Sequence, residues 1–367
     1  MAVVDGERND SGRPDTGDDI ESANLMTFDL RTVPRTDPVD IYRIRDGIYA
    51  ADMLLTAIVH LDLFSWLHGK PATIADVCRA FETTPRPTDV MLTLFAAMGL
   101  VEAREGVFHL TPLASEHLVK TSPWFLGPYY ESLKNRPVAL DLLTVLRTAK
   151  PANWSSQKDG KDWHVAMETE AFAAQFTAAM DCRGVYLAQA LAKSLDLSPR
   201  RELLDIAGGS GVYACSLVTH HPHLAATVFE KPPVDTIAAR AIANRGCSAK
   251  VKVAAGDMLH GPLPGGADVH LYSNVLHDWD EPVVRQLIVK SFEALPAGGI
   301  IVIHDAFLNA AKDGPLHVAE YSVLLMHSSE GRCYSTREMA EYLTDAGFHD
   351  ARYRDTAAAR GVMTATR

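Results

Sequence analysis

The spacing of apolar residues separates a helical first half of the chain from a second half in which strands and helices alternate. Residues 1 to about 35 have few apolar side chains and many Asp, Gly, Arg and Ser residues, which predicts a disordered tail. From Asp40 to Phe64 apolar residues recur at helical spacing and cover much of the circumference of a predicted helix. One small domain does not need so much apolar surface, so the pattern predicts a dimer interface within residues 40–66.

Residues 73–113 have the pattern of a winged helix. Thr73 precedes a short helical segment, a second segment runs from the Pro-rich turn at 85–88 to Gly99, and a hairpin turning at 104–106 follows. Winged helices often bind DNA through the second helix, but residues 89–98 contain no basic side chain. The pattern therefore favours a scaffold role, and we assign residues 36–120 to a winged-helix dimerisation domain.

Residues 121–198 are predicted to be helical and are unusually rich in aromatic side chains. Trp163 belongs to this set, and Phe176 and Met180 lie four residues apart on one helix face, with Arg183 just beyond. Most such aromatic side chains pack in a protein core. An apolar, aromatic wall is also what a small aromatic substrate requires, so we assign this segment to a substrate pocket.

Residues 199–367 have the strand and helix order of an α/β fold with a doubly wound, Rossmann-like sheet. A buried strand beginning at Glu202 leads into Gly209, Gly211 and Ala214, where a helix starts. Glycine allows the tight turn and the close approach of a ligand, and the helix N-terminus supplies free N–H groups. Nicotinamide, flavin and adenosylmethionine proteins share this spacing, so the loop alone does not decide between them.

Acidic residues at the ends of successive predicted strands favour one of these cofactors. Asp205 precedes the glycines, Glu230 ends the second strand, and Asp257 follows the third. Three carboxylates repel a pyrophosphate but suit a ligand with a sulfonium, an ammonium group and ribose hydroxyls. The predicted cofactor is S-adenosylmethionine, and the predicted cofactor-binding residues are Asp205, Gly208, Gly209, Gly211, Glu230, Asp257, Met258, Ser273 and Asn274.

Charge and cysteine content narrow the partners and the compartment. A formal net charge of −11 and a pI near 5.7 argue against nucleic acid or an anionic membrane surface as a partner. The five cysteines show no C-x-x-C spacing, which predicts reduced thiols in the cytoplasm. No uninterrupted apolar run reaches about 18 residues and the N-terminus is acidic, so we expect neither a membrane span nor a signal peptide.

Motifs from about residue 40 onwards resemble those of the dimeric S-adenosylmethionine-dependent O-methyltransferases of secondary metabolism, including the plant caffeate and hydroxyindole types. The most specific are LLDIAGGSG (203–211), Glu230, GDM (256–258), LHDWD (276–280), GGIIVIHD (298–305) and DAGF (345–348). The resemblance implies a class I methyltransferase domain in which Phe176 and Met180 clamp the acceptor. It also implies that His277 is a general base held by Asp305. A histidine with an ordinary pKa near 6.5 can take the proton of a phenol as attack begins. The predicted catalytic residues are His277, Asp278 and Asp305.

A departure from the plant members keeps alternatives open, because Cys333 stands where they have a glutamate. In one alternative, His277, Asp278 and His327 form a facial metal triad, as in metal-assisted C-methyltransferases of α-keto acids that resemble this chain. In another, the chain is a cofactor-binding scaffold or regulator. The sequence favours a metal-free, homodimeric enzyme that O-methylates a hydroxyl of a small aromatic acceptor. The predicted substrate-binding residues are Trp163, Phe176, Met180, Arg183, His327 and Cys333.

Overall fold

A computed structural model describes residues 29–152 and 166–367 of the chain. The first half is mainly helical, and a π-helical turn at Thr56–His60 joins its second and third helices. Its helices are α1 (Val39–Asp46), α2 (Ala50–Leu55), α3 (Leu63–Leu67), α4 (Ile74–Phe81), α5 (Pro85–Ala97), α6 (Pro112–His117), α7 (Gly127–Glu131) and α8 (Pro137–Thr148). A two-stranded antiparallel hairpin of β1 (Val101–Arg104) and β2 (Val107–Leu110) follows α5.

The predicted helix, helix and hairpin order of a winged helix is confirmed. Thr73 caps α4 because its hydroxyl accepts a hydrogen bond from the Asp76 N–H at 3.2 Å, while the Asp76 carboxylate accepts one from the Thr73 N–H at 3.0 Å. Gly99, with a φ of +69°, turns the chain after α5 into β1. Local capping and turn chemistry therefore fix this unit as the sequence indicates.

The leading apolar segment is divided between α1, α2, the π-helical turn and the start of α3, and most of it is buried within the chain itself. The apolar side chains buried there include Met53, Leu55, Ile58, Leu63 and Phe64. Ile41, Ile44 and Ile48, on and next to α1, remain 73%, 76% and 49% exposed. This core therefore covers most apolar side chains after Ala50, whereas the three isoleucines remain available to a partner.

The second half contains a seven-stranded sheet with helices on both faces, which confirms the predicted α/β fold. Its strands are β3 (Glu202–Ile206), β4 (Ala225–Glu230), β5 (Val251–Ala255), β6 (Val269–Ser273), β7 (Ile300–Asp305), β8 (His349–Asp355) and β9 (Gly361–Thr366). Its helices are α9 (Glu170–Ser194), α10 (Val212–His220), α11 (Val234–Asn244), α12 (Glu281–Ala294), α13 (Leu316–Ser328) and α14 (Thr336–Asp345).

The strand order is β5-β4-β3-β6-β7-β9-β8. The first five strands in this order are parallel, and β9 runs antiparallel to both β7 and β8. The chain passes outward from β3 through β4 to β5 and then returns to the other side of β3 at β6. The carboxyl ends of β3 and β6 thus lie at a topological switch point, where open α/β sheets bind their ligands.

Two packing contacts connect other parts of the chain to the sheet half. Helix α13 buries Val318 and Val323 in the same core as Phe95 of α5, so the helical half and the sheet half share a core. Leu30, which the sequence places in a disordered tail, is buried against α9 and α10. In the described residues, no helix combines the length and the apolarity needed to cross a membrane.

Candidate active site

The chain turns sharply after β3 because three residues of the segment 207–211 have φ angles in the left-handed region that favours glycine. Gly209 and Gly211 have φ angles of +59° and +72°, and Gly211 is the N-cap of α10. Gly208 is required for space, since a Cβ there would lie 2.6 Å from the carboxyl carbon of Asp205. The backbone of this turn and the N-terminus of α10 line the cavity described below, where they can meet polar groups of a ligand.

Asp205 lies beneath this turn and does not itself line the cavity. One of its carboxylate oxygens accepts a hydrogen bond from the Ala214 N–H at 3.3 Å, and the other has no hydrogen-bond partner among the described residues. Burial raises the pKa of this carboxyl to about 7. Asp205 is predicted to bind the cofactor, but Gly208 packs over its carboxyl group and lies between that group and the cavity.

Glu230, at the end of β4, lines the cavity. Its carboxylate accepts hydrogen bonds from the N–H groups of Gly209 at 2.9 Å and Lys231 at 3.0 Å. Burial raises the pKa of Glu230 to about 7, against the opposing effect of these two bonds. Each oxygen keeps a lone pair beyond these bonds, so the carboxylate can accept hydrogen bonds from a pair of hydroxyls such as those of ribose.

Asp257 follows β5 and adjoins an apolar slot. Its carboxylate accepts hydrogen bonds from the Leu259 N–H at 2.7 Å and from the His260 ring at 3.0 Å. Burial opposes the charged form, but these bonds outweigh it and hold the pKa of Asp257 below its ordinary value. Met258 and Phe229 line the same end of the cavity, so an acid, a thioether and a ring surround a space suited to a flat heterocycle.

Ser273 and Asn274, at the end of β6, also line the cavity. The Ser273 hydroxyl lies 3.0 Å from Nδ1 of His304. Asn274 has a φ of +54°, donates a hydrogen bond to the Tyr213 hydroxyl at 2.9 Å and accepts one from Arg360 at 3.2 Å. These bonds hold the strained residue that turns the chain from β6 towards His277.

His277 and Asp305 form a buried pair at the edge of the cavity. A short 3-10 turn at Leu276–Asp278 follows β6 and carries His277, whose side chain is 3% exposed, and Asp305 ends the neighbouring strand β7. Nδ1 of His277 is hydrogen-bonded to Asp305, which also accepts the Ala306 N–H at 2.7 Å. Burial opposes ionisation of Asp305, but the attraction and hydrogen bond of His277 hold its pKa below the ordinary value. With Nδ1 engaged in this way, Nε2 is available as a proton acceptor.

Asp278 and Tyr321 flank the histidine on its cavity side. Nε2 of His277 lies 3.8 Å from a carboxylate oxygen of Asp278, and burial raises the pKa of that carboxyl. The Tyr321 ring, from α13, lies edge-on to the His277 ring with 5.6 Å between centroids. Nδ1 of the imidazole is thus held by the charged carboxylate of Asp305. Nε2 faces the carboxyl group of Asp278, and the Tyr321 ring packs against the imidazole.

The backbone behind His277 is braced by the loop that follows α13. A Cβ on Gly331 would lie 1.8 Å from the carbonyl oxygen of His277, so the two backbones are in direct contact. Arg86 of α5 donates hydrogen bonds to the carbonyl oxygens of Gly331 at 2.8 Å and Ala149 at 2.6 Å. Tyr334 donates one to the Trp279 carbonyl at 2.7 Å. The helical half therefore fixes the loop on which the catalytic turn rests.

Helix α9 supplies the opposite wall, where Phe176, Met180 and Arg183 line the cavity as expected. Asp181 on the same helix forms a buried ion pair with Arg245 at 2.6 Å and accepts a hydrogen bond from the Ser210 hydroxyl. This contact ties the glycine turn to α9. The sequence does not indicate this contact, since no local pattern connects residues 29 and 64 positions apart.

These elements enclose one continuous cavity of about 440 Å³. The acids Glu230 and Asp257 line one end, and His277, Met180 and Arg183 line the other. Sequence reasoning also missed Tyr213 and Tyr321 as lining residues. Tyr213 directly follows the glycine turn and could have been found there, whereas helix α13 carries no motif that marks Tyr321.

Two predicted substrate-binding residues do not line the cavity. His327 points from α13 towards α8, with Nε2 3.8 Å from the Asp141 carboxylate and its ring 4.5 Å from that of Tyr49. Cys333 is buried in the core shared by α5 and α13, and burial raises the pKa of its thiol well above the ordinary value. Trp163 lies outside the described residues. The structure therefore does not bring His327 and Cys333 to the cavity wall, because core packing takes both side chains away from it.

The alternative metal triad is not assembled either. His277 and Asp278 are neighbours, but His327 faces Asp141 on the far side of α13. Among residues 29–152 and 166–367, no group of three His, Cys, Asp or Glu side chains is placed to hold one metal ion.

The residues present fit S-adenosylmethionine. Carboxylates of Glu230 and Asp257 and the bare backbone of the glycine turn suit ribose hydroxyls, an adenine amino group and a cationic ligand. No cluster of Lys or Arg side chains sits at this turn to meet a diphosphate, among the residues that line the cavity.

Comparisons with known proteins give the family. Residues 141–349 match the model of the O-methyltransferase domain, and residues 44–120 match that of the O-methyltransferase dimerisation domain. The 3-hydroxy-5-methyl-1-naphthoate 3-O-methyltransferase of Streptomyces sahachiroi is 32% identical over 81% of this chain and 86% of its own. The tetracenomycin polyketide synthesis 8-O-methyl transferase of Streptomyces glaucescens is 31% identical over 86% of this chain and 92% of its own.

This chain is also similar to a solved structure. The O-methyltransferase family 2 protein from Planctomyces limnophilus, in complex with apigenin, superposes with a TM-score of 0.81 at 32% identity, covering 93% of this chain and 99% of that one. Sequence and fold therefore agree over nearly the whole length. The chain belongs to the O-methyltransferase family and is an S-adenosylmethionine-dependent methyltransferase.

Proposed function

We propose that this enzyme methylates a hydroxyl group of a small aromatic molecule and that His277 is the general base. The observation that carries the proposal is the buried His277–Asp305 pair, which leaves Nε2 of the histidine at the wall of the cavity. The two Streptomyces relatives are named for O-methylation of aromatic compounds, which supports the same acceptor class.

The acceptor end of the cavity is suited to an aromatic ring. Phe176 and Met180 of α9 face Leu324 and Leu325 of α13, and Trp279 borders the same space. Apolar and aromatic side chains bury a ring and leave its orientation to a few polar groups. Here those groups are His277, Asp278 and Arg183.

The chemistry requires a proton acceptor because a phenol has a pKa near 10 and is a poor nucleophile while protonated. S-adenosylmethionine, when bound, supplies an electrophilic methyl group. His277 takes the hydroxyl proton on Nε2, and the charged Asp305 stabilises the imidazolium that results. Buried Cys333 keeps its proton and adds no charge, so the carboxylates that support this imidazolium are Asp305 and Asp278.

We also propose that the enzyme is a cytoplasmic homodimer. The dimerisation-domain match covers residues 44–120, and the exposed Ile41, Ile44 and Ile48 offer an apolar face at the start of this range. The five cysteines are free thiols, which suits a reducing compartment. The acidic net charge of −11 supports small molecules and a second copy of the chain, rather than nucleic acid, as partners.

Replacing His277 with Ala tests the general base. We expect kcat on a phenolic acceptor to fall by roughly 10²- to 10⁴-fold, while the Kd for S-adenosylhomocysteine stays close to that of the wild type. Asp305→Asn should lower kcat in the same sense, because the amide no longer stabilises a charged imidazole. The exposed His349, which contacts Asp350, provides the control variant His349→Ala. Wild-type turnover by His277→Ala with intact cofactor binding would refute the proposed base.

A further inference from the structure

Arg183 is a cation in the acceptor end of the cavity that the methyl-transfer chemistry does not use. It lies on α9, one turn beyond Met180, and its side chain is half-buried against the cavity. Its guanidinium donates a hydrogen bond to the Tyr321 hydroxyl at 3.3 Å and lies 3.5 Å from the Met180 sulfur. A guanidinium stays charged at any physiological pH, so this wall of the cavity carries a permanent positive charge.

The charge of Arg183 lacks an ion-pair partner among the described residues. Its contacts are neutral groups, a phenol and a thioether. Asp181, two positions earlier, is engaged by Arg245. A partly desolvated charge without a counter-ion is costly, and proteins retain one mainly where a ligand completes the pair.

Carboxylates farther from Arg183 do not form an ion pair with it. Asp46 attracts Arg183 at longer range, but this buried carboxylate already meets Arg360 and Arg45, each at 3.4 Å. Asp278 also attracts Arg183 at longer range, but its carboxyl group lies 3.8 Å from Nε2 of His277, so neither carboxylate forms an ion pair with Arg183. An anionic group of a ligand in the cavity would supply the ion-pair partner that Arg183 lacks.

The position of Arg183 relative to His277 defines where such a group would lie. Tyr321 contacts both residues, since its ring packs against the imidazole and its hydroxyl accepts the hydrogen bond from Arg183. One tyrosine side chain thus separates the proton acceptor from the guanidinium. A ligand that reaches both needs its hydroxyl and its anionic group on different sides of an aromatic ring.

We propose that Arg183 binds a carboxylate of the acceptor and that the substrate class is a hydroxyaryl carboxylate with its two groups on non-adjacent ring positions. This inference rests on the proposed O-methylation. Arg and carboxylate form paired, charge-assisted hydrogen bonds, which bring both affinity and orientation. The methionine carboxylate of the cofactor is a second source of the same chemistry, and its binding can be measured separately.

The test compares 3-hydroxy-1-naphthoate with its 1-carboxamide and with 2-naphthol, and 3-hydroxybenzoate with 3-hydroxybenzamide and phenol. For the wild-type protein we expect a roughly 10- to 100-fold higher kcat/KM for the carboxylate than for the matching carboxamide in at least one series. Calorimetry on protein loaded with S-adenosylhomocysteine should show the same order of affinities. Arg183→Gln should remove the preference, and Arg183→Lys should restore part of it. Arg240→Gln, which removes an exposed arginine that pairs with Glu170 on the surface, should keep it.

The outcomes distinguish a carboxylate of the acceptor from the carboxylate of the cofactor as the partner of Arg183. A preference lost in Arg183→Gln, with an unchanged Kd for S-adenosylhomocysteine, supports the inference. A weakened Kd for S-adenosylhomocysteine with an unchanged acceptor preference places the cofactor carboxylate at Arg183 and overturns it. Wild-type protein that methylates naphthol and carboxylate equally also overturns it and leaves the proposed function intact. Failure to methylate any hydroxyl of either series, with cofactor binding retained, contradicts the proposed function itself.

Discussion

Gly331→Ala is the change that tests most directly whether the catalytic turn is held from behind. Gly331 has no catalytic group and does not line the cavity, yet its α-carbon faces the backbone of His277. A Cβ there would lie 1.8 Å from the His277 carbonyl oxygen, 2.5 Å from its carbonyl carbon and 2.6 Å from that of Asp278. All three neighbours are backbone atoms, so no side chain can rotate away to relieve the overlap.

The size of the effect follows from how far the backbone must move. Ordinary van der Waals contact begins at 3.4 Å, so the two segments must separate by more than 1 Å. The loop cannot move freely, because Arg86 holds the Gly331 carbonyl and Tyr334 holds that of Trp279. The displacement is therefore shared with the His277 turn. A misplacement of about 1 Å in a catalytic group costs on the order of 10²-fold in rate.

The assay is kcat with a phenolic acceptor, together with the Kd for S-adenosylhomocysteine and the thermal midpoint. We expect kcat to fall by roughly 10²-fold while cofactor binding is retained, since the glycine turn and Glu230 lie on other elements. Gly265→Ala is the matched control, because a Cβ at that glycine meets no atom within 4 Å. A folded Gly331→Ala protein with wild-type kcat would show that the loop does not position His277.

Two further predictions concern pH and assembly. Because burial raises the pKa of Glu230 and Asp205 to about 7, above the ordinary carboxyl range, the folded protein binds more protons than the unfolded chain between about pH 4 and 7. The free energy of unfolding of the free protein should therefore fall as pH rises through that window. The affinity for S-adenosylhomocysteine should increase from pH 6 to 8, and this increase should be smaller in Glu230→Gln. An affinity that calorimetry finds independent of pH would contradict this prediction. Light scattering at micromolar concentration should give twice the chain mass, and Ile44→Asp should shift it towards one chain; a monomeric wild type would count against the α1 face.

The sheet half could be predicted closely because its local signals agree with one another. Strand ends at Ile206, Glu230 and Ala255 are marked by glycine or acid, and the structure ends β3, β4 and β5 there. A parallel sheet collects such ends at one edge, so Glu230 and Asp257 are brought together by topology alone. The resemblance adds His277 and Asp305, which no periodicity could pair.

The structure departs from the sequence-based expectations where tertiary packing decides the outcome. His327 and Cys333 lie near the site in sequence order, but the direction of a helical side chain depends on what the helix packs against, and α13 packs into the core of the helical half. The apolar excess after Ala50 was assigned to a partner because the sequence does not show that α13 and α8 return to cover it. Asp205 was expected to contact the ligand because the sequence does not show that Gly208 packs between this carboxyl group and the cavity.

Helix α1 contributes both to the exposed apolar face and to the wall of the cavity. Its exposed face carries Ile41 and Ile44, while the next residue, Arg45, lines the cavity. Asp46, at the end of the same helix, holds Arg360, which in turn bonds Asn274 at the end of β6. A short helix of this kind is held mainly by what it packs against, since eight residues form a marginal helix alone. Burial of the isoleucines in a dimer would therefore stabilise the same helix that places Arg45 at the wall of the cavity.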